Sequence, residues 1–241
     1  MIETSAGPLR KRLYDAYASQ HADVSDGTAT ALVYRRDIRP ALLLPAAGPV
    51  VDIGCGQGHL VRLMLADGYD AAGIDVSPEQ VALARAAGLD RVEHGDYREL
   101  LGRRAGQLAA VTATDVLEHL GKAEVLETFD RVMHALIPGG VFVARVPNAA
   151  SPFAGRIRYG DFTHESSHTA RSVRQVAAAA GFAEVTVRPC PPVAHGLPSA
   201  ARVVVWKSVS ALCKAALVAE TGVVHGHIVT QNLTFTARKA R

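Results

Sequence analysis

Residues 49–60 run Pro49-Val50-Val51-Asp52-Ile53-Gly54-Cys55-Gly56-Gln57-Gly58-His59-Leu60, with three glycines at alternate positions after a short apolar, β-branched run. Glycine lets the chain bend sharply and lets backbone approach a ligand with no Cβ in the way. The helix expected from about Leu60 points its free N–H groups at whatever lies there. Such a turn suits a nucleotide-like cofactor. Carboxylates recur downstream at Asp75, 21 positions after Gly54, and at Asp96 and Asp115. A carboxylate placed like Asp75 can accept both ribose hydroxyls of a bound nucleoside. The dinucleotide fingerprint G-x-G-x-x-G is not met, because the third glycine comes one place early, at Gly58, and His59 fills its slot. That spacing disfavours an NAD(P)-dependent reductase, although Asp75 alone would serve either kind of cofactor.

These groups need elements to position them. Residues 50–53, 70–76, 91–97, 108–114 and 141–148 read as buried strands. Helices are expected between them over 60–66, from Ser77-Pro78 to about Ala87, over 97–101, and over 124–136 with Val125, Phe129, Val132 and Leu136 on one face. Pro138-Gly139-Gly140 should end the last of these in a turn. Strand and helix in alternation imply parallel pairing, right-handed crossovers and helices on both faces. Ligands of such sheets sit at the carboxyl ends of the strands. The glycine turn, Asp75, Asp96 and Asp115 all fall there, so one site can collect them. Upstream, residues 9–40 look helical around a polar break at 23–27, with Leu9, Leu13 and Tyr17 on one face and Ala31, Tyr34 and Ile38 on another. Downstream come a sixth strand at 183–188, an apolar helix at 200–220, and β segments at 227–229 and 233–238.

The pattern D-x-G-C-G-x-G at 52–58 resembles the first motif of class I S-adenosylmethionine-dependent methyltransferases. Asp75, the pair Gly95-Asp96, the run Asp115-Val116-Leu117-Glu118-His119-Leu120 and the Leu136–Gly140 passage agree with it. The D-V-L-E-H-L run resembles the fourth motif of ubiquinone-type and sugar O-methyltransferases, which lies beside the methionine part of the cofactor. It does not resemble the N-P-P-[YFW] form of amino-group methylating enzymes, so the resemblance implies an oxygen acceptor. It also implies an α/β, Rossmann-like doubly wound sheet of seven strands, mostly parallel with an antiparallel last strand. A single domain is expected, with a helical cap at 1–46, a cofactor-binding core at 47–188, and a C-terminal helix and final strand at 189–241. The implied cofactor is S-adenosyl-L-methionine, leaving as S-adenosyl-L-homocysteine.

Carried over residue by residue, the cofactor contacts are Tyr17 in the cap, Asp52, Gly54, Cys55 and Gly56 in the first motif, and Asp75, Val76 and Gln80 in the second. Asp96 is expected to accept the adenine amine with Tyr97 packed on the ring, and Asp115, Val116 and His119 to face the methionine part. Tyr17 has an alternative role in packing the cap helix, Asp96 in capping the helix after it, and Glu118 and His119 in buttressing their loop.

The region after the fifth strand, from Ser151-Pro152-Phe153 to Asp161-Phe162-Thr163-His164, is aromatic and basic and should overhang the transferred methyl. His164-Glu165-Ser166-Ser167-His168 satisfies H-E-x-x-H, the zinc protease helix motif. Thr169 reads as an N-cap, however, which places His164 before the helix and not within it. No third histidine follows at the expected distance. No metal is therefore expected; a divalent ion on Asp161, Glu165 and a histidine is the weaker option. His164 is the candidate general base, since proton removal near pH 7 suits a neutral imidazole. Asp161 would orient it or pair with Arg156 or Arg158, and those arginines could grip an anionic acceptor.

Composition narrows the classes further. At 241 residues and 49% hydrophobic the chain can bury a substantial core. A net charge of +3, without a dense basic cluster, argues against nucleic acid as partner. Three widely spaced cysteines form neither a disulfide framework nor a C-x-x-C pair. Met1 to Arg12 carries no apolar signal core, and no apolar run reaches the roughly 18 residues of a membrane span. A cytoplasmic enzyme, monomer or homodimer, acting on a small molecule is expected. The helix at 200–220 can wall the acceptor pocket, cover a dimer partner or lie on a membrane surface. N- or carboxyl-methylation and a non-catalytic cofactor-binding partner remain the alternatives.

Overall fold

The computed structural model describes residues 27–194 and 196–241. Tyr17, Leu9, Leu13 and residues 23–26 of the polar break lie outside the described residues. The first described helix, α1 (Gly27–Val33), runs on into a wider π-turn, Tyr34–Ile38, which buries Tyr34 and Ile38. The Tyr34 hydroxyl donates to Asp67 at 2.8 Å and so ties this segment to the end of the helix after the glycine turn.

Seven strands follow: β1 (Val50–Ile53), β2 (Ala71–Asp75), β3 (Val92–His94), β4 (Leu108–Thr114), β5 (Leu136–Pro147), β6 (Glu184–Pro189) and β7 (Asn232–Arg238). They form one sheet in the order β3-β2-β1-β4-β5-β7-β6. β1 pairs parallel with β2 and β4, so the strand bearing the first motif is central, and the order reverses beside it. β7 is wedged between β5 and β6 and runs antiparallel to both. The expected sheet is therefore present.

Helices α2 (His59–Ala66), α3 (Pro78–Ala86), α4 (Tyr97–Arg103), α5 (Lys122–Ala135), α6 (Ala154–Arg158), α7 (Ala170–Ala179) and α8 (Leu197–Thr221) complete the described elements. Successive strand residues face opposite sides, which splits the core in two. Val51 and Ile53 join Phe129, Phe142 and Phe235 under α4, α5 and α7. Val50 joins Tyr34, Met64 and Val81 under the N-terminal segment, α2 and α3. The three phenylalanines pack at ring distances of 5.2–5.6 Å. Ridged apolar faces on both sides of a β-branched sheet are what hold the central strands.

Two expectations need correcting. Pro138-Gly139-Gly140 does not separate helix from strand: β5 begins at Leu136 and the register slips between Leu108 and Ala110 opposite. Gly139, at φ 76°, lets the chain bulge there and resume pairing at Val141. Residues 227–229 are not strand; the His227 ring instead hydrogen-bonds the Val223 carbonyl at 2.7 Å.

Gly54 shows why the turn needs its glycines. Its φ is 64°, and a Cβ there would lie 2.5 Å from Val116 Cγ2. Gly106 has φ 62° with nothing within 4 Å. Gly106→Ala should therefore cost about 1 kcal/mol from backbone strain alone. Gly54→Ala should cost roughly 1–3 kcal/mol more through overpacking. Urea unfolding of both variants checks this, and equal losses would mean Val116 yields freely.

Candidate functional site

The turn after β1 hangs on β2. Gly54 and Cys55 donate their amides to the Ile74 carbonyl at 2.8 and 3.2 Å. The Asp75 carboxylate then accepts from Gly56 N–H through one oxygen and from Ser77 N–H through the other, both at 2.8 Å. It thus binds the first and second motifs together while still offering lone pairs outward. Burial pushes its pKa up, against the pull of those two amides. Gln80 reaches the same place: its Oε1, 3.7 Å from where a Gly56 Cβ would sit, is buried and accepts from no donor. Val76 stands 46% exposed beside it. A buried acceptor without a donor, an apolar wall and a Cβ-free turn fit the nucleoside end of S-adenosylmethionine.

Other expected contacts sit differently. Cys55 turns its thiol toward Gly73, whose Cβ would lie 2.6 Å away, so that side chain fills the core and only its backbone lines the turn. Asp52 is buried and accepts from Thr112 Oγ1 on β4 at 2.7 Å. Asp96 caps α4, accepting from Arg98 N–H at 2.8 Å, and pairs with the Arg98 guanidinium at 3.2 Å. Tyr97 requires a correction: it is a core residue, 7% exposed, whose hydroxyl meets Thr128 Oγ1 of α5 at 2.7 Å. Thr128 donates its own proton to the Glu124 carbonyl, so Tyr97 is the donor. Its ring is held under α5 and does not stand free to pack on a cofactor.

Asp115 opens the loop after β4 with φ 55°, a left-handed conformation uncommon outside glycine. Arg145 of β5 holds it there, with its guanidinium 3.2 Å from the carboxylate and its carbonyl accepting the Asp115 amide at 3.0 Å. Sequence reasoning passed over Arg145, whose signal is a lone charge within the apolar run Val141-Phe142-Val143-Ala144-Arg145-Val146. Val116 fills the space beside Gly54, and a single turn of 3-10 helix, Leu117–His119, follows.

The segment expected to overhang the transferred methyl is tied to that turn. Glu165 and Ser166 donate their amides to the Glu118 carbonyl at 2.8 and 3.0 Å, and Ser166 Oγ donates to the Leu117 carbonyl at 3.0 Å. These bonds bring His164 against His119, ring centroids 4.7 Å apart, edge to face. Asp161 lies beside this pair, and its backbone carbonyl accepts the His164 amide at 3.3 Å. Its Oδ1 accepts from Thr163 N–H and Oγ1 at 2.8 and 2.6 Å, and Thr163 Oγ1 meets His119 Nδ1 at 2.7 Å. Thr163 has one proton and gives it to Asp161, so His119 donates from Nδ1.

Residues 164–168 are not helical, and α7 starts at Ala170 behind the Thr169 cap, so the zinc protease arrangement does not form. His168 is buried, its pKa lowered by that burial, and bonded to Ser166 Oγ at 3.2 Å. A different trio comes together. Glu118, His119 and His164 each offer an atom within 4.8 Å of the others. Glu118 Oε2 is buried without a hydrogen-bond partner, and burial first, then Asp115, push its pKa well up. This places a buried carboxyl group beside two imidazoles, and the same atoms could ligate a divalent ion.

Beyond Arg145, a cleft of about 790 Å³ opens between the carboxyl ends of β5 and β6, the N-terminal segment and α8. Arg36, Arg145, Arg156, Arg202 and Trp206 line it. A second cleft of about 70 Å³ beside His164 includes Arg158 and Gln231.

Comparison with known proteins bears on this geometry. A family profile described as a methyltransferase domain matches residues 29–187. A ubiquinone biosynthesis O-methyltransferase of Xanthomonas axonopodis pv. citri is 33% identical over 120 residues, 47% of this chain and 49% of that one. The chain thus spans about half the length of the curated relatives it matches. Among solved structures, a SAM dependent methyltransferase from Archaeoglobus fulgidus superposes with TM-score 0.68 at 18% identity, covering 92% of this chain and 98% of that one. Phosphoethanolamine N-methyltransferase 2 of Haemonchus contortus, solved with phosphomonomethylethanolamine and S-adenosylhomocysteine, gives 0.54 at 19% identity over 80% of this chain and 49% of that one.

Asp52 makes the cradle's stability pH-dependent. Burial raises its carboxyl from 3.8 to about 7, Thr112 opposing and Asp75 adding to the rise. The folded chain holds this proton more tightly than the unfolded one. Its contribution is therefore full below about pH 4 and is lost as pH rises through about 7. Asp52→Asn keeps an acceptor for Thr112 and removes the ionisation. Its unfolding free energy, measured in urea without cofactor, should gain on wild type between about pH 4 and about pH 7, reaching a few kcal/mol. A difference that does not vary with pH would show Asp52 to be ionised throughout.

Proposed function

This chain belongs to the class I S-adenosylmethionine-dependent methyltransferases, and we propose that it methylates a hydroxyl oxygen of a small molecule, a sugar or another secondary metabolite. The observation that carries the reading is the bonding of residues 165–166 to residues 117–118, which sets His164 beside the loop expected to face the reacting end of the cofactor. The absence of an N-P-P-[YFW] sequence at that loop supports oxygen over nitrogen.

In this reading the turn at 54–58, Asp75, Val76 and Gln80 hold the nucleoside, and Asp115, fixed by Arg145, faces the methionine part. The bound cofactor supplies an electrophilic methyl on a sulfonium. The chain's own part is largely to align the acceptor oxygen with it and keep water out. His164 takes the acceptor's proton on a ring nitrogen. His119, fixed through Thr163 and Asp161, packs against its edge and limits its rotation. The enzyme works as one domain, as a monomer or homodimer in the cytoplasm. Among the described residues no helix is long and apolar enough to cross a membrane.

The test is methyl transfer from labelled S-adenosylmethionine into cell extract resolved into lipid, small polar, polysaccharide and protein pools. Label should collect in the small polar, polysaccharide or lipid pool and not in protein. His164→Ala should lower kcat by about 10²- to 10⁴-fold with S-adenosylhomocysteine affinity unchanged. Chelation should leave turnover intact. Loss on chelation, restored by a divalent ion, would transfer the role of His164 from base to metal ligand, and full turnover in His164→Ala would remove it from the chemistry.

A further inference from the structure

The cleft beyond Arg145 carries a charge pattern that the methyl-transfer reading does not use. Four arginines line it and, among the described residues, no Asp or Glu does. Two of the four are balanced from behind. Arg36 is clamped by both oxygens of buried Asp37, at 2.7 and 2.5 Å, and Arg145 pairs with Asp115 at 3.2 Å. Arg156 of α6 and Arg202 of α8 make no ion pair among the described residues. Among the described residues the cleft therefore has two positive charges without an ion-pair partner, on opposite elements. Those elements are brought together where Phe153 meets Trp206, ring centroids 6.1 Å apart.

The rest of the wall is mixed: Thr230, Gln231 and Asn232 line one part of it, and one stretch is apolar. Leu32, Val205, Trp206 and Val209 face the same space, which at about 790 Å³ is the size of a drug-like ligand's site. Paired guanidinium groups select planar or tetrahedral oxyanions, and an aromatic and aliphatic wall selects a hydrophobic body. A sugar with neither charge nor apolar surface would leave both features unused.

We propose that this cleft binds an amphiphile bearing a carboxylate or phosphate, with the oxyanion between Arg156 and Arg202 and the apolar body along α8 against Trp206. The cleft adjoins the cofactor side through Arg145, so on the methyltransferase reading this amphiphile is the methyl acceptor. That last step alone rests on the proposed function; the oxyanion site stands on the cleft.

Trp206 is the chain's single tryptophan, so energy transfer from it reports occupancy of this cleft. The probe is anilinonaphthalene sulfonate, with N-phenylnaphthylamine as the same apolar body without the anion. Arg156→Gln and Arg202→Gln should each weaken the sulfonate about three- to tenfold, and together about thirtyfold, while the uncharged probe binds as before. Dodecyl phosphate should displace the sulfonate. If the protein does not co-sediment with phosphatidylglycerol vesicles, the ligand is a free amphiphile; co-sedimentation that the double substitution abolishes assigns the same site to a lipid headgroup. Unchanged sulfonate affinity in the double variant, or equal loss for both probes, overturns the proposal. S-adenosylhomocysteine binding on the same samples reports folding. Its absence beside arginine-dependent sulfonate binding would overturn the methyltransferase reading and leave the oxyanion site standing.

Discussion

The Asp75 carboxylate is the tie on which the cofactor side depends. One oxygen takes the Gly56 amide and the other the Ser77 amide, so the turn after β1 and the helix start after β2 share one anchor. Each bond is charge-assisted and partly buried, where such bonds are strong. The glycine turn has almost no side chains of its own to pack. Its shape comes from Ile74 and Asp75 on one side and Val116 on the other. A carboxylate expected only to receive ribose hydroxyls is thus also a structural brace.

A second tie couples the two halves of the site. The Leu117–His119 turn follows β4 at the carboxyl edge of the sheet, and its carbonyls receive amides and a hydroxyl from residues 165 and 166. The segment around His164 is therefore placed by backbone bonds, which tolerate many side chains, while His119, Thr163 and Asp161 form a short chain of side-chain bonds beside them. Arg145 closes the arrangement from β5 by holding Asp115 in its left-handed conformation. Strain at one loop residue persists because its surroundings leave it no alternative.

Much of this was legible beforehand. Strands from β1 to β4 and the caps at Ser77 and Thr169 follow from local signals, since turn glycines, N-caps and β-branched runs act over a few residues. The acids at strand ends were legible because side-chain period and strand direction place them. Tyr97 was misplaced because sequence cannot say which way a helix-opening ring turns; the Thr128 hydroxyl on α5 decided that. The link from Asp161 through Thr163 to His119 was not legible, because only the folded loop brings those three groups together.

By itself the sequence determined the family, the alternating sheet and the identity of the cradle, because each depends on short-range spacing. Tertiary structure alone decided that Glu118 would be buried beside two histidines, that Arg145 would hold Asp115, and that Arg156 and Arg202 would face one cleft from separate elements. Those groups are distant in the chain. Their meeting is set by how α6 and α8 pack beyond the carboxyl edge of the sheet, which no local pattern encodes.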